Sequence, residues 1–225
     1  MDTALFDLPT ANPAHPAKYT DALLVTMAHM LKGCRRILDP FGGTGKVFLL
    51  NQWLPDADID AVEIEARVAA INPRTTHGNA KYLPWPDNTF DAICTSPTYA
   101  NRMADHHNAK DGSKRRTYRH MFGEELHPDN SGAMQWGDDY RALHVAAWTE
   151  ARRVLQPRGR FVLNIKDHIR GGKTIPVTQW HIDTLTALGF TMQRHERINT
   201  PSMRYGKNSE LRVEYESVIL FTQEG

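Results

Sequence analysis

Arg36-Ile37-Leu38-Asp39-Pro40-Phe41-Gly42-Gly43-Thr44-Gly45 decides the fold. A short apolar strand runs into a glycine turn, and the stretch 46–53, closed by Pro55, reads as the helix that follows. Glycines at a strand-to-helix turn let the backbone approach a ligand closely, and a helix N-terminus presents unpaired amide donors. Working outward, 59–63 reads as a second strand, 65–71 as a second helix, 75–78 as a weak third strand and 90–95 as a fourth, which meets Ser96-Pro97. Strands alternating with helices predict an α/β fold with a doubly wound, mostly parallel sheet. Upstream, Leu23, Met27 and Leu31 recur at four-residue spacing in a helix over 20–32 that Gly33 stops. Downstream come a helix over 140–155, a strand over 160–165, a helix over 177–188, and strands near 190–194 and 213–221. The last two strands have a loop and no helix between them. They predict a seven-stranded sheet that ends in a C-terminal antiparallel hairpin.

The 225 residues are 40% hydrophobic and 24% charged with a formal net charge of +1, which fits a single domain over 1–225. No run of eighteen apolar residues is present, so no membrane span is expected. The N-terminus carries acid where a signal peptide needs base. Cys34 and Cys94 lie far apart, outside metal-ligand spacing, which favours a reduced, cytoplasmic setting. His106, His107, His120 and His127 are irregularly spaced and lack cysteine companions, so no metal is expected.

With so small a net charge, nucleic-acid affinity has to come from local patches. The polar stretch 101–139 breaks the strand-helix rhythm and reads as a basic insertion, a small target-recognition region. Between 101 and 120 it carries Arg102, Lys110, Lys114, Arg115, Arg116 and Arg119 against Asp105 and Asp111, a composition suited to holding phosphates. A second basic loop over 194–212 contains Arg197, Arg204 and Lys207.

About twenty residues beyond the glycine turn, Glu63 ends the second strand, where a carboxylate accepts hydrogen bonds from two ribose hydroxyls. Asp39, just before the glycines, repels a diphosphate but welcomes a cationic amine such as that of S-adenosylmethionine. Thr95-Ser96-Pro97-Thr98-Tyr99 belongs at the same sheet edge. The Ser96 hydroxyl and the carbonyls around Pro97 suit the hydrogens of an exocyclic amine, and the Tyr99 ring suits stacking on its base. Such an amine is a poor nucleophile because its lone pair is conjugated with the ring. Acceptors aimed at its hydrogens favour the pyramidal nitrogen that attacks a methyl group.

His15-Pro-Ala-Lys-Tyr, Asp39-Pro-Phe-Gly-Gly-Thr-Gly, Glu63, Gly78-Asn79-Ala80 and Thr95-Ser-Pro-Thr-Tyr stand in an order that resembles the amino-group DNA methyltransferases, the cytosine-N4 and adenine-N6 enzymes. The resemblance covers about 15–100 and, more loosely, 140–222, with the cofactor loop ahead of the catalytic turn as in the gamma arrangement. It implies a Rossmann-like class I methyltransferase that uses S-adenosylmethionine and forms no covalent intermediate. In that family His15, Lys18 and Tyr19 would line the methionine end of the cofactor, Asp39, Phe41 and Gly43 its loop, Glu63 its ribose and Asn79 its adenine. Ser96, Pro97 and Tyr99 would be catalytic. Apart from the resemblance, Lys166-Asp-His follows the fifth strand at the same edge, where it reads equally as a wall of the substrate pocket or as a simple strand-to-loop exit.

The serine before proline looks more like the cytosine-N4 members. Arg102, Lys114, Arg115, Arg116, Arg119, Arg204 and Lys207 would hold DNA beside a flipped base. The resemblance further implies a place in restriction-modification and a monomer or homodimer. Rival readings are an RNA base-amine methyltransferase, a catalytically inactive nucleic-acid-binding relative and a small-molecule methyltransferase. Two departures stand out: Thr98 replaces the family's second proline, which is expected to loosen the turn, and Asn79 replaces its acid.

Overall fold

A computed structural model of the chain describes residues 21–100, 126–200 and 211–224. Its sheet contains β1 (Arg36–Asp39), β2 (Asp58–Glu63), β3 (Thr75–His77), β4 (Phe90–Thr95), β5 (Leu155–Ile165), β8 (Phe190–Asn199) and β9 (Tyr215–Gln223), in the order β3-β2-β1-β4-β5-β9-β8. The first five are parallel, and β9 runs antiparallel to both β5 and β8. The mostly parallel seven-stranded sheet with a closing hairpin is thus present.

Consecutive β1 residues feed opposite layers. Leu38 joins Val62, Ile93 and Phe161 beneath Trp148 of helix α3 (Asp138–Val154) and Leu185 of α4 (Val177–Ala187). Ile37 joins Ile59, Ala92 and Val162 against Leu23 and Met27 of α1 (Asp21–Met30). A parallel sheet covered on both faces needs such continuous apolar runs, which is why its strands were readable without alternation. Among the described residues, no helix is long and apolar enough to cross a membrane.

Three local expectations change. The stretch 46–53 forms a 3-10 helix at Lys46–Gln52, entered from left-handed Gly45 with no side-chain cap; the Asn51 amide donates to the carbonyls of Leu54 and Ala57, closing the exit. The second helix shrinks to α2 (Ala66–Ala69). Strand β8 runs to Asn199 because its pairing with β9 continues to Asn199↔Tyr215, past a bulge between Met192 and Arg194 that blunts this edge strand. A hairpin absent from the sequence reading also appears: β6 (His168–Arg170) and β7 (Lys173–Ile175) form a separate two-stranded sheet just beyond β5.

The glycine turn is fixed by packing against β2. Gly42 N donates to Val62 O at 2.7 Å, and a Cβ at Gly42 would stand 2.7 Å from Ala61 Cβ and 3.2 Å from Val62 O. Gly42→Ala therefore forces the turn away from β2. A loss of about 1–3 kcal/mol is expected in chemical denaturation, the usual range for overpacking; an unchanged midpoint would contradict this close approach.

Candidate active site

The strand order reverses between β1 and β4, a switch point whose carboxyl edge forms a crevice in doubly wound sheets. Asp39 ends β1 and Thr95 ends β4. The Thr95 hydroxyl donates to Asp39 Oδ1 at 2.7 Å, and the same oxygen accepts from Phe41 N at 3.0 Å. Asp39 is 2% exposed and Thr95 0%. One buried carboxyl group therefore roots both the glycine turn and the Ser-Pro-Thr-Tyr turn. Burial raises the Asp39 pKa to about 7, outweighing the two hydrogen bonds that favour its charge; nearby Glu63 adds to the rise.

At the tip of β2, Glu63 Oε2 accepts from Gly43 N at 3.0 Å and Oε1 from Glu65 N at 2.9 Å. Burial raises its pKa as well, although these amides oppose the shift. Gly78 N reaches back to Glu63 O at 3.0 Å, bringing Asn79 to the same rim. Asn79 Nδ2 donates to Asp129 Oδ2 at 2.8 Å, and Lys81 Nζ lies 2.7 Å from that oxygen. The Lys81 hydrogen bond holds the Asp129 carboxyl below its ordinary range, against a smaller opposing effect of burial. An acid thus stands beside Asn79 after all, fifty positions downstream in sequence.

The segment carrying Asp129 spans the rim. Glu65 Oε1 accepts from His127 N at 2.9 Å and from Asn130 Nδ2 at 2.7 Å, Ser131 Oγ sits 2.8 Å from Thr98 Oγ1, and Trp136 N donates to Ala100 O at 3.0 Å. This end of the 101–139 stretch is therefore tied to Glu65 just past β2 and to the Ser-Pro-Thr-Tyr turn and its exit. The bonds correct the expectation that Thr98 loosens the catalytic turn, because its hydroxyl is paired and its carbonyl is held too.

Tyr140 OH lies 2.8 Å from Thr98 O and 3.0 Å from His181 Nε2, and Trp148 Nε1 donates to His181 Nδ1 at 3.0 Å. An indole can only donate, so Nδ1 is bare. Nε2 then carries the imidazole proton and donates to Tyr140, whose own proton goes to Thr98 O. Burial, followed by the neighbouring His144, holds the His181 pKa well below its ordinary value, in keeping with a neutral ring. Phe41 stacks on His144 at 5.3 Å and meets Trp148 edge-on, so its ring packs into this aromatic cluster.

A polar network lies on the other side of the turn. Asn164 Nδ2 donates to Ser96 Oγ at 3.1 Å and to Glu216 Oε2 at 2.9 Å; Tyr99 OH donates to the same Glu216 oxygen at 2.9 Å. Lys166 Nζ stands 3.9 Å from Glu216 Oε1 and 3.0 Å from Thr200 Oγ1. Burial, reinforced by the Glu216 charge, raises the Tyr99 pKa well above its ordinary value, so its proton stays in place. Asn164 is 1% exposed, and its Oδ1 has no hydrogen-bond partner among the described residues. Asn164 and Glu216 were not identified from sequence. The readable signal was a lone amide, Asn164, inside the apolar run Phe161-Val-Leu-Asn-Ile.

Asp39, Phe41, Gly43, Glu63, Asn79, Ser96, Pro97 and Tyr99 thus gather at one sheet edge. His15, Lys18, Tyr19, Arg102, Lys114, Arg115, Arg116, Arg119, Arg204 and Lys207 lie outside the described residues.

No protein-family model and no curated protein matches the chain. Solved structures share its Rossmann-like fold, the one seen in class I methyltransferases. An S-adenosylmethionine-dependent methyltransferase from Methanosarcina mazei is 13% identical with a TM-score of 0.55, covering 88% of this chain and 97% of its own. The [4+2]-cyclase SpnF is 17% identical with a TM-score of 0.54, covering 91% and 81%. A cyclase and a methyltransferase on one scaffold mean that the reaction has to be argued from the site.

Asp39 gives a testable pH dependence. Folding raises its pKa from an ordinary carboxyl value of about 4 to about 7. Between those values the folded state holds more protons than the unfolded one, so this group's contribution to stability falls as pH rises through the window and is level above it. Asp39→Asn keeps an acceptor for Thr95 and Phe41 but cannot ionise. Denaturation across the window should show the native protein losing up to about 1.4 kcal/mol per pH unit relative to the variant. Parallel profiles would contradict the shift.

Proposed function

We propose that this chain transfers a methyl group from S-adenosylmethionine to an exocyclic amine of a DNA base, cytosine in preference to adenine. The observation that carries the reading is the Thr95–Asp39 hydrogen bond, which roots an amine-orienting turn and a cofactor-type glycine turn side by side. The residues at the rim suit this cofactor. Glu63, with both oxygens positioned by backbone amides, keeps lone pairs for two ribose hydroxyls. Asn79 with Asp129 supplies acceptors for an adenine amine. Asp39, whose carboxyl titrates near neutrality, adds a partial negative charge at the root of the turn, which suits a cationic end and disfavours a diphosphate. The cofactor, when bound, supplies an electrophilic methyl group.

The turn provides the rest. Ser96 Oγ uses one lone pair on Asn164 and keeps another for an amine hydrogen, and the Pro97 carbonyl has no competing amide of its own. Tyr99, tied through its hydroxyl to Glu216, holds its ring fixed for stacking on an extruded base. The structural neighbour named as an S-adenosylmethionine-dependent methyltransferase supports the cofactor assignment. The basic segment 101–120, which follows the turn in sequence, supports a nucleic-acid substrate.

Incubation with methyl-labelled cofactor and either plasmid DNA or structured RNA, followed by nucleoside mass analysis, tests the proposal. The expected product is N4-methylcytosine in DNA, with Ser96→Ala slowing transfer about a hundredfold or more. N6-methyladenine would overturn the base preference, label in RNA alone would overturn the substrate, and full activity in the Ser96 variant would overturn the role of the turn.

A further inference from the structure

We propose that the β6–β7 hairpin is a second DNA contact, one that grips the phosphodiester backbone of a duplex beside the catalytic turn. This inference rests on the nucleic-acid reading above and adds a site that the basic insertion does not include. Arg170 and Lys173 face each other in register across the hairpin. Like charges directly opposite destabilise a strand pair, so their placement is unfavourable for folding alone. Neither is neutralised by a carboxylate among the described residues: Arg170 Nη2 donates to the Gln135 amide oxygen, and Lys173 makes no ion pair there. Residues 170–174 are all exposed.

The tip between the two cations carries no side chains. Gly171 and Gly172 have φ of 57° and 74°, the pair of left-handed conformations that a two-residue hairpin turn of matching twist requires. Two cations flanking a bare turn suit a rigid, closely approaching anionic surface better than a small ligand, because nothing at the tip encloses one. The hairpin also stands in the right place. It follows the carboxyl end of β5, Arg170 is bonded to Gln135, and the adjacent Trp136 N is bonded to Ala100 O at the exit of the catalytic turn. Duplex DNA offers one negative charge per roughly 1.7 Å of axis, so a duplex lying over that exit places phosphates within reach of both side chains.

Binding of the full chain to a short mixed-sequence duplex, with a structured RNA in parallel, tests this across a salt series. Arg170→Gln/Lys173→Gln should reduce the slope of log affinity against log salt by about 1.8, two phosphate contacts' worth, with S-adenosylmethionine affinity unchanged. Lys173→Glu places opposite charges across the hairpin and should weaken DNA binding without lowering the thermal midpoint, which separates a DNA contact from a folding role. A duplex slope equal to the native one overturns the hairpin's role and leaves the proposed function standing. A change confined to RNA overturns the choice of partner. A native chain with no salt-dependent DNA binding overturns both readings at once.

Discussion

The bond from the Thr95 hydroxyl to the Asp39 carboxyl is the constraint on which the site depends. It joins two strand ends that are neighbours in space and 56 residues apart in sequence. Parallel pairing of β1 with β4 brings those ends level, and the hydrogen bond fixes how the two loops leave them. The arrangement carries a stability penalty, because a carboxyl buried to 2% exposure is hard to ionise. Strain or desolvation retained at a sheet edge, where apolar residues would pack more stably, is what functional sites tend to show.

A second set of constraints holds the Ser-Pro-Thr-Tyr turn from behind. The ordered chain of donors from Trp148 through His181 and Tyr140 to Thr98 gives a neutral, buried histidine a structural task. On the opposite side, Glu216 gathers Tyr99 and Asn164. The turn is thus gripped from α3 and α4 on one side and from β5 and β9 on the other. That grip makes a proline in place of Thr98 unnecessary for its rigidity.

Much of this was legible in the sequence where local chemistry and topology agree. The glycine turn, Glu63 at the end of the next strand and Ser96-Pro97 at the end of the fourth each sit where a doubly wound sheet brings ligands. What could not be read depends on distant partners. Glu216 lies 117 residues from Tyr99, and Asn130 lies 65 from Glu65. Asp129 answers the missing acid at Asn79 only once the chain is folded. The β6–β7 hairpin was missed because three-residue strands give too short a pattern, although Gly171-Gly172 was a turn signal in plain view. That the helix at Lys46–Gln52 is 3-10 is not legible in the sequence, because apolar spacing over seven residues does not separate a 3-10 from an α-helix.

The measurement that bears most directly on this account is a double-mutant cycle of Asp39→Ala and Thr95→Val, read by equilibrium unfolding. Two groups sharing a buried hydrogen bond should show a coupling energy of about 0.5–3 kcal/mol. Strictly additive losses would mean that the two loops are rooted independently, and the convergence of the glycine turn and the Ser-Pro-Thr-Tyr turn would lose its physical basis.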